Sequence, residues 1–296
     1  MSKCLMKRKS QAGLSLVELM VSLVIGLMVV GAVLIGFMNA KSSNALQGAY
    51  ADMNESAQIG LTIISRDLLA AGYSQPTGVP TSGTGDQFSR NYSGWPLLGC
   101  SKGFIAGKEK ATTALTAADC NSSGAIAPAI DIRFEADTVN TVPNGAGVPT
   151  DCLGNGLTSA GSYYLASNRY YLATTAGSSR SELHCASNEG SNGQPLVENV
   201  EALKFWYGEA DAANTRQVVR YVEADTDLTN KVTDWGRVVS VKICLLMRSA
   251  EQVRNAEEGA LTYLDCDNQT RTNAVGDRYA RRAYFTTVTL RNRMSF

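Results

Sequence analysis

An apolar segment of 25 residues near the N-terminus, Leu14 to Met38, constrains this chain more than any other feature. Glu18 is its only charged residue. As an α-helix the segment would be about 38 Å long, at about 1.5 Å per residue. That length crosses a bilayer core of about 30 Å with some tilt, so the sequence predicts a membrane-spanning helix at residues 14–38.

The residues before the apolar segment predict which way the helix crosses the membrane. Four basic residues and no acidic residue precede it: Lys3, Lys7, Arg8 and Lys9. Because positive charge stays on the cytoplasmic side, the rest of the chain is expected in the periplasm, anchored in a bacterial inner membrane. A secretory signal peptide is the alternative, but its apolar region would be shorter and a small-residue cleavage site would follow it.

Helical periodicity continues beyond the membrane segment through residues 39–72. Apolar residues recur at spacings of three and four: Leu46, Tyr50, Met53, Ala57, Leu61, Ile64, Leu68 and Ala71. This pattern predicts an amphipathic helix, with polar residues such as Asp67 off the apolar stripe. Gly72 is a typical helix end, so one helix of about 87 Å is expected from Leu14 onward.

Glu18 is the anomaly of the apolar segment. A carboxylate inside such a segment costs about 2.5–3.5 kcal/mol on membrane-insertion scales, so it indicates a functional role by default. The alternative is a glutamate near the start of the helix whose side chain snorkels to the lipid headgroups.

The residues around Glu18 resemble the type IV prepilin signature. A short basic leader ends in glycine and is followed by an apolar helix with glutamate as its fifth residue: Gln11-Ala12-Gly13-Leu14-Ser15-Leu16-Val17-Glu18. The resemblance implies that residues 1–13 are a leader, which prepilin peptidase removes by cleavage between Gly13 and Leu14. It also implies N-methylation of Leu14, which stands where many major pilins carry phenylalanine.

Cleavage would give Glu18 a partner. It creates a new ammonium group at Leu14, and both charges become buried when helices pack in a filament core. A buried charge without a partner is costly, whereas a pair offsets much of that cost. We therefore expect Glu18 to meet the Leu14 amine of a neighbouring subunit.

Residues 73–296, which we call the head, are predicted to be mostly antiparallel β-structure. Residues 73–129 are rich in Gly, Ser, Thr and Ala and are predicted to be long loops. Strand candidates follow at residues 130–134, 203–207, 217–222, 239–247 and 283–290, with a hairpin around Ser167-Asn168. A long helix packed on an antiparallel sheet belongs to the α+β class and is also the pilin fold.

Six cysteines lie in the head: Cys100, Cys120, Cys152, Cys185, Cys244 and Cys266. An even number on the periplasmic side favours three disulfide bonds, with free buried thiols as the alternative. Among the many pairings that six cysteines allow, we favour neighbours in sequence: Cys100–Cys120, Cys152–Cys185 and Cys244–Cys266.

Little else in the sequence points to an enzyme, a cofactor or a metal site. His184 is the only histidine, and we expect a loop residue beside a disulfide cysteine rather than the partner of a thiol nucleophile. Two acidic groups lack EF-hand spacing and are expected to be solvated loops rather than calcium sites: Glu223, Asp225 and Asp227, and Asp265 and Asp267.

The charge balance gives no signal for nucleic-acid binding. The leader carries four of the 27 basic residues, which leaves 23 against 27 acidic residues, a formal charge of −4. Five arginines form a local basic group near the end of the chain: Arg278, Arg281, Arg282, Arg291 and Arg293. We expect this group to contact a partner subunit or to protect a strand edge rather than to bind DNA.

Three segments resemble the PilW-type minor pilins, which are similar to the J-type pseudopilins of type II secretion. They run from Arg66 to Tyr73, from Trp235 to Ser249 and from Arg281 to Asn292. The resemblance implies a low-abundance subunit that helps to initiate type IV pilus assembly at the inner membrane and sits near the pilus tip. A type II secretion pseudopilin is the first alternative, and a membrane-anchored binding module that never polymerises is the second.

The same resemblance implies the partners of the chain. They are other minor pilins, the major pilin, prepilin peptidase, the inner-membrane assembly platform and a tip adhesin, in a machine that drives twitching motility.

Overall fold

A computed structural model describes residues 13, 15–80, 88–110, 115–124, 127–190, 192–211, 217–224, 228, 235–253 and 261–293. The chain divides into two compact units, Met1–Gly48 and Ala49–Phe296. Its long helix, α1, runs from Leu16 to Ala70. All of the strands in the described residues belong to the second unit.

Thirteen strands are found among the described residues. In chain order they are β1 (Pro76–Pro80), β2 (Phe88–Arg90), β3 (Leu97–Cys100), β4 (Ala129–Ala136), β5 (Tyr164–Ala173), β6 (Glu182–Ser187), β7 (Gln194–Glu198), β8 (Val200–Ala210), β9 (Val218–Val222), β10 (Val238–Gln252), β11 (Thr262–Leu264), β12 (Thr270–Thr272) and β13 (Tyr279–Thr289). Short 3-10 turns lie at Lys108–Lys110, Ala117–Asp119, Trp235–Arg237 and Arg291–Arg293.

The strands form two main sheets, and every pairing in them is antiparallel. One sheet has five strands in the order β3-β4-β5-β6-β7, and the other has four in the order β13-β10-β8-β9. Strands β1 and β2 form a small separate pair, as do β11 and β12. The predicted α+β class, a long N-terminal helix with antiparallel sheets, is confirmed.

The C-terminal end of α1 is held by residues from distant parts of the chain. Gly72 adopts a left-handed conformation with φ of 72°, as the predicted helix end requires. Its N–H donates to the carbonyl of Arg133 at 2.8 Å. The side-chain amide of Asn292 donates to the last carbonyls of the helix at 3.2–3.3 Å: Leu69, Ala70 and Ala71. The two ends of the head therefore meet at this helix end.

The apolar stripe of α1 packs against both sheets. At Gly60, an added Cβ would lie 3.1 Å from Leu245 of β10 and 3.1 Å from Val197 of β7. Six members of the predicted stripe are buried: Met53, Ala57, Leu61, Ile64, Leu68 and Ala71. Asp67 is also buried, at 9% exposure. The prediction that it lies off the stripe was wrong, because it has hydrogen-bond partners in the head.

Two other predictions for the head were wrong. Residues 73–129 are not loops throughout, because they contain the short strands β1, β2 and β3. There is no hairpin at Ser167-Asn168, because β5 runs through both residues. The later strand candidates are confirmed as β4, β8, β9, β10 and β13. The hairpin error arose because the polar residues Ser167 and Asn168 are buried inside a strand.

The face of the five-stranded sheet opposite α1 buries charged side chains. Arg133 on β4 donates to Asp131 at 2.6 Å and to the carbonyl of Leu115 at 2.7 Å. Arg169 on β5 donates to the carbonyl of Lys108 at 3.0 Å. Leu115 and Lys108 belong to the connection between β3 and β4, so these arginines attach that connection to the sheet.

A close contact between the two sheets yields a stability prediction. A Cβ on Gly99 of β3 would overlap the hydroxyl of Tyr207 of β8, which is 1% exposed. We expect Gly99→Ala to destabilise the folded protein by about 1–3 kcal/mol, because a packed core does not accept the extra methyl group. Denaturant unfolding of the full-length chain in detergent, followed by tryptophan fluorescence, measures the change.

Gly145→Ala is the matched control. Nothing lies within 4 Å of a Cβ at Gly145, so its effect should stay within about 0.5 kcal/mol. Equal stability of the two variants would show that the contact between Gly99 and Tyr207 does not limit the packing of the sheets.

Candidate assembly site

Glu18 lies in the first turn of α1 and is exposed. Its carbonyl accepts a hydrogen bond from the Ser22 hydroxyl at 2.7 Å, and the N–H of Leu19 donates to the carbonyl of Ser15 at 3.1 Å. A carboxylate in this turn interacts favourably with the positive end of the helix dipole. Glu18 is thus accessible to a charge on another subunit.

The predicted cleavage site lies at the edge of the described residues. Gly13 is described and exposed, whereas residues 1–12 and Leu14 lie outside the described part of the chain. Cleavage between Gly13 and Leu14, N-methylation of Leu14 and its pairing with Glu18 therefore stay predictions.

The first part of α1 exposes an apolar surface. Its large apolar side chains from Leu16 to Met38 are between 50% and 76% exposed. By length and composition, α1 is the one helix among the described residues that is able to cross a membrane. An apolar surface of this extent needs a cover of lipid or of other helices.

Farther along α1, Asp67 makes the principal polar contact between the helix and the five-stranded sheet. The Tyr170 hydroxyl donates to its carboxylate at 2.5 Å, and the Asn168 amide donates to the same oxygen at 2.7 Å. Both partners lie on β5. A cavity of about 230 Å³ adjoins this contact and is also lined by Arg66 and Asp151. The contact was missed in the sequence because its partners are about a hundred residues away.

Burial controls the titration of this contact. It raises the pKa of Asp67 above its usual value, and the nearby Asp151 carboxylate adds to the rise. Hydrogen bonds from Tyr170 and Asn168 and the charge of Arg66 act in the opposite direction without cancelling the rise. Burial and the Asp67 charge also raise the pKa of Tyr170 well above its usual value, so its hydroxyl remains a donor.

The head contains three disulfide bonds, in the sequence-neighbour pairs that we favoured. Their Cα–Cα distances are 5.3, 6.5 and 5.8 Å: Cys100–Cys120, Cys152–Cys185 and Cys244–Cys266. Each bond joins a strand of a main sheet to a segment outside that sheet. The third ties the central strand β10 to the turn between β11 and β12.

His184 lies within a strand. The expectation of a loop residue was wrong, because His184 is on β6 and only 5% exposed. Its Nε2 lies 3.2 Å from the Glu182 carboxylate, and its ring lies 5.8 Å from that of Tyr171. The neighbouring Cys185 is bonded to Cys152, so this pair offers no free thiol.

The acidic residues near the β11–β12 turn bind cationic side chains. Asp265 accepts from Arg271 at 2.7 Å, and Asp267 accepts from Lys204 at 2.6 Å. Asp225 and Asp227 lie outside the described residues. Within the described ranges, no three His, Cys, Asp or Glu side chains are placed to hold a metal ion.

Comparison with known proteins places two family models on the chain. The model described as type IV pilus-assembly protein W matches residues 169–292. The model described as the prokaryotic N-terminal methylation motif matches residues 8–34, which include Gly13 and Glu18. The first match extends from β5 to the last 3-10 turn.

Comparison with solved structures finds a type IV-like pilin from Thermus thermophilus, at 12% identity and a TM-score of 0.42. The alignment covers 82% of this chain and 97% of that one. No curated protein sequence matches the chain.

Two substitutions test the Asp67 contact. Asp67→Ala leaves the Tyr170 hydroxyl and the Asn168 amide without an acceptor, so we expect a loss of about 1–3 kcal/mol in unfolding free energy. Asp67→Asn keeps an acceptor oxygen and removes the buried charge, so it should be at least as stable as the wild type near neutral pH. Denaturant unfolding of the full-length variants in detergent measures both.

The stability difference between the wild type and Asp67→Asn should also depend on pH. Because folding raises the pKa of Asp67 above its ordinary 3.8, the folded protein binds this proton more tightly than the unfolded one. The contribution of this proton to the free energy of unfolding is complete at pH values below the pKa of Asp67 in the unfolded chain. It is lost as the pH rises through the pKa of Asp67 in the folded protein. Stability of the wild type relative to Asp67→Asn should therefore fall with rising pH. Asp52→Asn, at an exposed position of α1, is the control. If the stability difference from the wild type changes with pH equally for Asp67→Asn and Asp52→Asn, the pH dependence does not come from Asp67.

Proposed function

We propose that this chain, which is a type IV minor pilin of the PilW type, is built into a filament through α1 after removal of its leader. Prepilin peptidase would cut between Gly13 and Leu14, and Leu14 would be N-methylated. The match to the N-terminal methylation motif over residues 8–34 supports this processing. The motif and the apolar helix fit a membrane-anchored pilin.

The observation that supports this assembly mechanism is that Glu18 is the only charged residue in the exposed apolar part of α1. Helix packing would bury the apolar side chains of residues 16–38 and Glu18 with them. An unpaired carboxylate there is costly, and the new ammonium group of Leu14 in a neighbouring subunit is the charge that can offset it. The pairing would also set the axial register between subunits, because each helix presents one such charge of each sign.

The role of the chain in the pilus is that of an initiator at or near the tip. Residues 1–38 comprise the leader and the membrane-spanning helix, residues 39–72 the amphipathic continuation, and residues 73–296 a periplasmic head. A head of this size fits a tip position, where no further subunit has to stack above it. Before assembly the chain would reside in the bacterial inner membrane, with the head in the periplasm.

The partners follow from this role. Family membership indicates interaction with other pilus components. We propose that these are the other minor pilins, the major pilin and the inner-membrane assembly platform, with a tip adhesin held at the filament end. Pilin-family domains are structural proteins, and the proposed activity is assembly rather than catalysis.

Glu18 variants test the pairing. Glu18→Ala and Glu18→Gln should insert in the membrane and be cleaved, but enter filaments about tenfold less or worse, because the Leu14 ammonium would be buried unpaired. Quantitative immunoblots of sheared filaments against membranes measure incorporation. Glu55→Ala, an exposed glutamate of the same helix, is the control, and normal incorporation of both Glu18 variants would refute the pairing.

Processing and membership are tested together. After co-expression with prepilin peptidase, N-terminal sequencing should find methylated Leu14, and a chain that still begins at Met1 would refute the pilin mechanism. The processed chain should then co-purify with the tip subunits of the pilus. Co-purification with type II secretion pseudopilins instead would assign the chain to that machine.

A further inference from the structure

The outer edge of β13 is paired with no other strand in the described part of the chain, although the Tyr279 carbonyl at its start accepts a hydrogen bond from the Asn273 amide. The strand is eleven residues long and pairs with β10 from Thr289 to Tyr279. It is the last strand of its sheet, and no other strand in the described part of the chain pairs with it. Such an edge presents a row of backbone N–H and C=O groups, to which another extended segment can bond.

A groove of about 610 Å³ lies along this edge. Tyr50 of α1 stands on one side, Tyr263 and Leu264 of β11 stand on the other, and Arg282 and Phe285 belong to β13 itself. Phe285 is 42% exposed and Leu264 is 53% exposed. The groove therefore combines an open strand edge with aromatic and apolar walls, as peptide-binding sheet edges do. We call it the β13 groove.

Arg282 lines the β13 groove, Lys242 lies beside it against the Phe285 ring, and neither has a carboxylate partner among the described residues. The Arg282 guanidinium lies 5.8 Å from the ring centroid of Tyr50, and the Lys242 ammonium lies 5.3 Å from that of Phe285. Among the described residues, no salt bridge reaches either cation. Arg281, the neighbour of Arg282, differs because it pairs with Glu201 and Asp277. The positive charge at the groove is thus available to an acidic ligand.

We propose that the β13 groove receives an extended acidic segment of a neighbouring pilin subunit, which adds to the sheet beside β13. The inference rests on the proposed function, because it names the contact by which this head joins another. Backbone groups of β13 would bond the incoming strand, Phe285 and Tyr263 would hold its apolar side chains, and Arg282 would pair with a carboxylate.

The charge of the whole chain favours a peptide over a polyanion. Without its leader the chain carries a formal charge of −4, so no broad positive field attracts a nucleic acid or an acidic polysaccharide. Two local cations flanked by aromatic rings instead match one or two carboxylates on a strand with apolar neighbours. A strand edge also adds backbone hydrogen bonds, which only a polypeptide can continue.

Hydrogen exchange tests the strand addition directly. The probe is the full-length chain, co-produced with prepilin peptidase and the other minor pilins of its filament and purified with them in detergent. Amides of β13 should exchange at least tenfold more slowly in this complex than in the chain alone. Strand β7 is an edge strand of the other sheet and should be unchanged. A complex that forms without protection of β13 would overturn the proposal.

Charge variants test the acidic partner. Arg282→Glu should weaken the complex at least tenfold and Arg282→Gln by less, whereas Lys102→Glu, an exposed charge reversal between β3 and β4, should bind normally. If Arg282→Glu does not fold, Arg282→Gln and the wild-type exchange data decide the question. Wild-type affinity in both Arg282 variants would overturn the proposal.

Crosslinking identifies the occupant. A photoreactive residue at Leu264 should react with a segment of another pilin that carries Asp or Glu, whereas one at Val139, 91% exposed, should not. Reaction with a second copy of this chain or with lipid would overturn the proposal. Processing at Leu14 and incorporation that depends on Glu18 test the proposed function separately. If the chain assembles normally but β13 is not protected, only the proposal for the β13 groove is refuted.

Discussion

The packing of one face of α1 against both sheets is the contact on which the architecture of the head depends. At Gly60 the helix approaches β10 of one sheet and β7 of the other so closely that a methyl group would have to displace Leu245 or Val197. Since the two sheets belong to separate hydrogen-bonded layers, the shared helix gives them a common core. The Asn292 amide on the last carbonyls of α1 then closes the head from its C-terminal side.

Asp67 adds a polar contact to this apolar interface. Burying the carboxylate is costly, and the hydrogen bonds from Tyr170 and Asn168 offset part of the cost. The gain is geometric, because an apolar stripe tolerates sliding by a turn whereas two donors directed at one oxygen do not. Our interpretation is that Asp67 fixes the position of this part of α1 along β5.

The sequence predicted those elements whose periodicity is local. One face of β10 packs against α1, so apolar residues alternate along it and predict a strand. One face of α1 packs against the sheets, so apolar residues recur at spacings of three and four and predict a helix. The β5 strand was misread because Ser167 and Asn168 resemble a turn, although Asn168 turns inward to Asp67. The partners of Asp67 lie on β5, distant in sequence. No local pattern records such a pair, so the buried polar contact required the fold.

The disulfide bonds extend this argument to the proposed interface. Cys244 on β10 is bonded to Cys266 in the turn between β11 and β12, so the hairpin that carries Tyr263 is covalently held beside β13. One side of the β13 groove is therefore ordered before any partner arrives, and the entropy lost on binding falls mainly on the incoming segment. This wall of the groove is fixed to β10, an inner strand of the sheet, and β10 packs through Leu245 against α1 at Gly60. The surface that would recognise a neighbour is therefore built on the same core that holds the helix to the head.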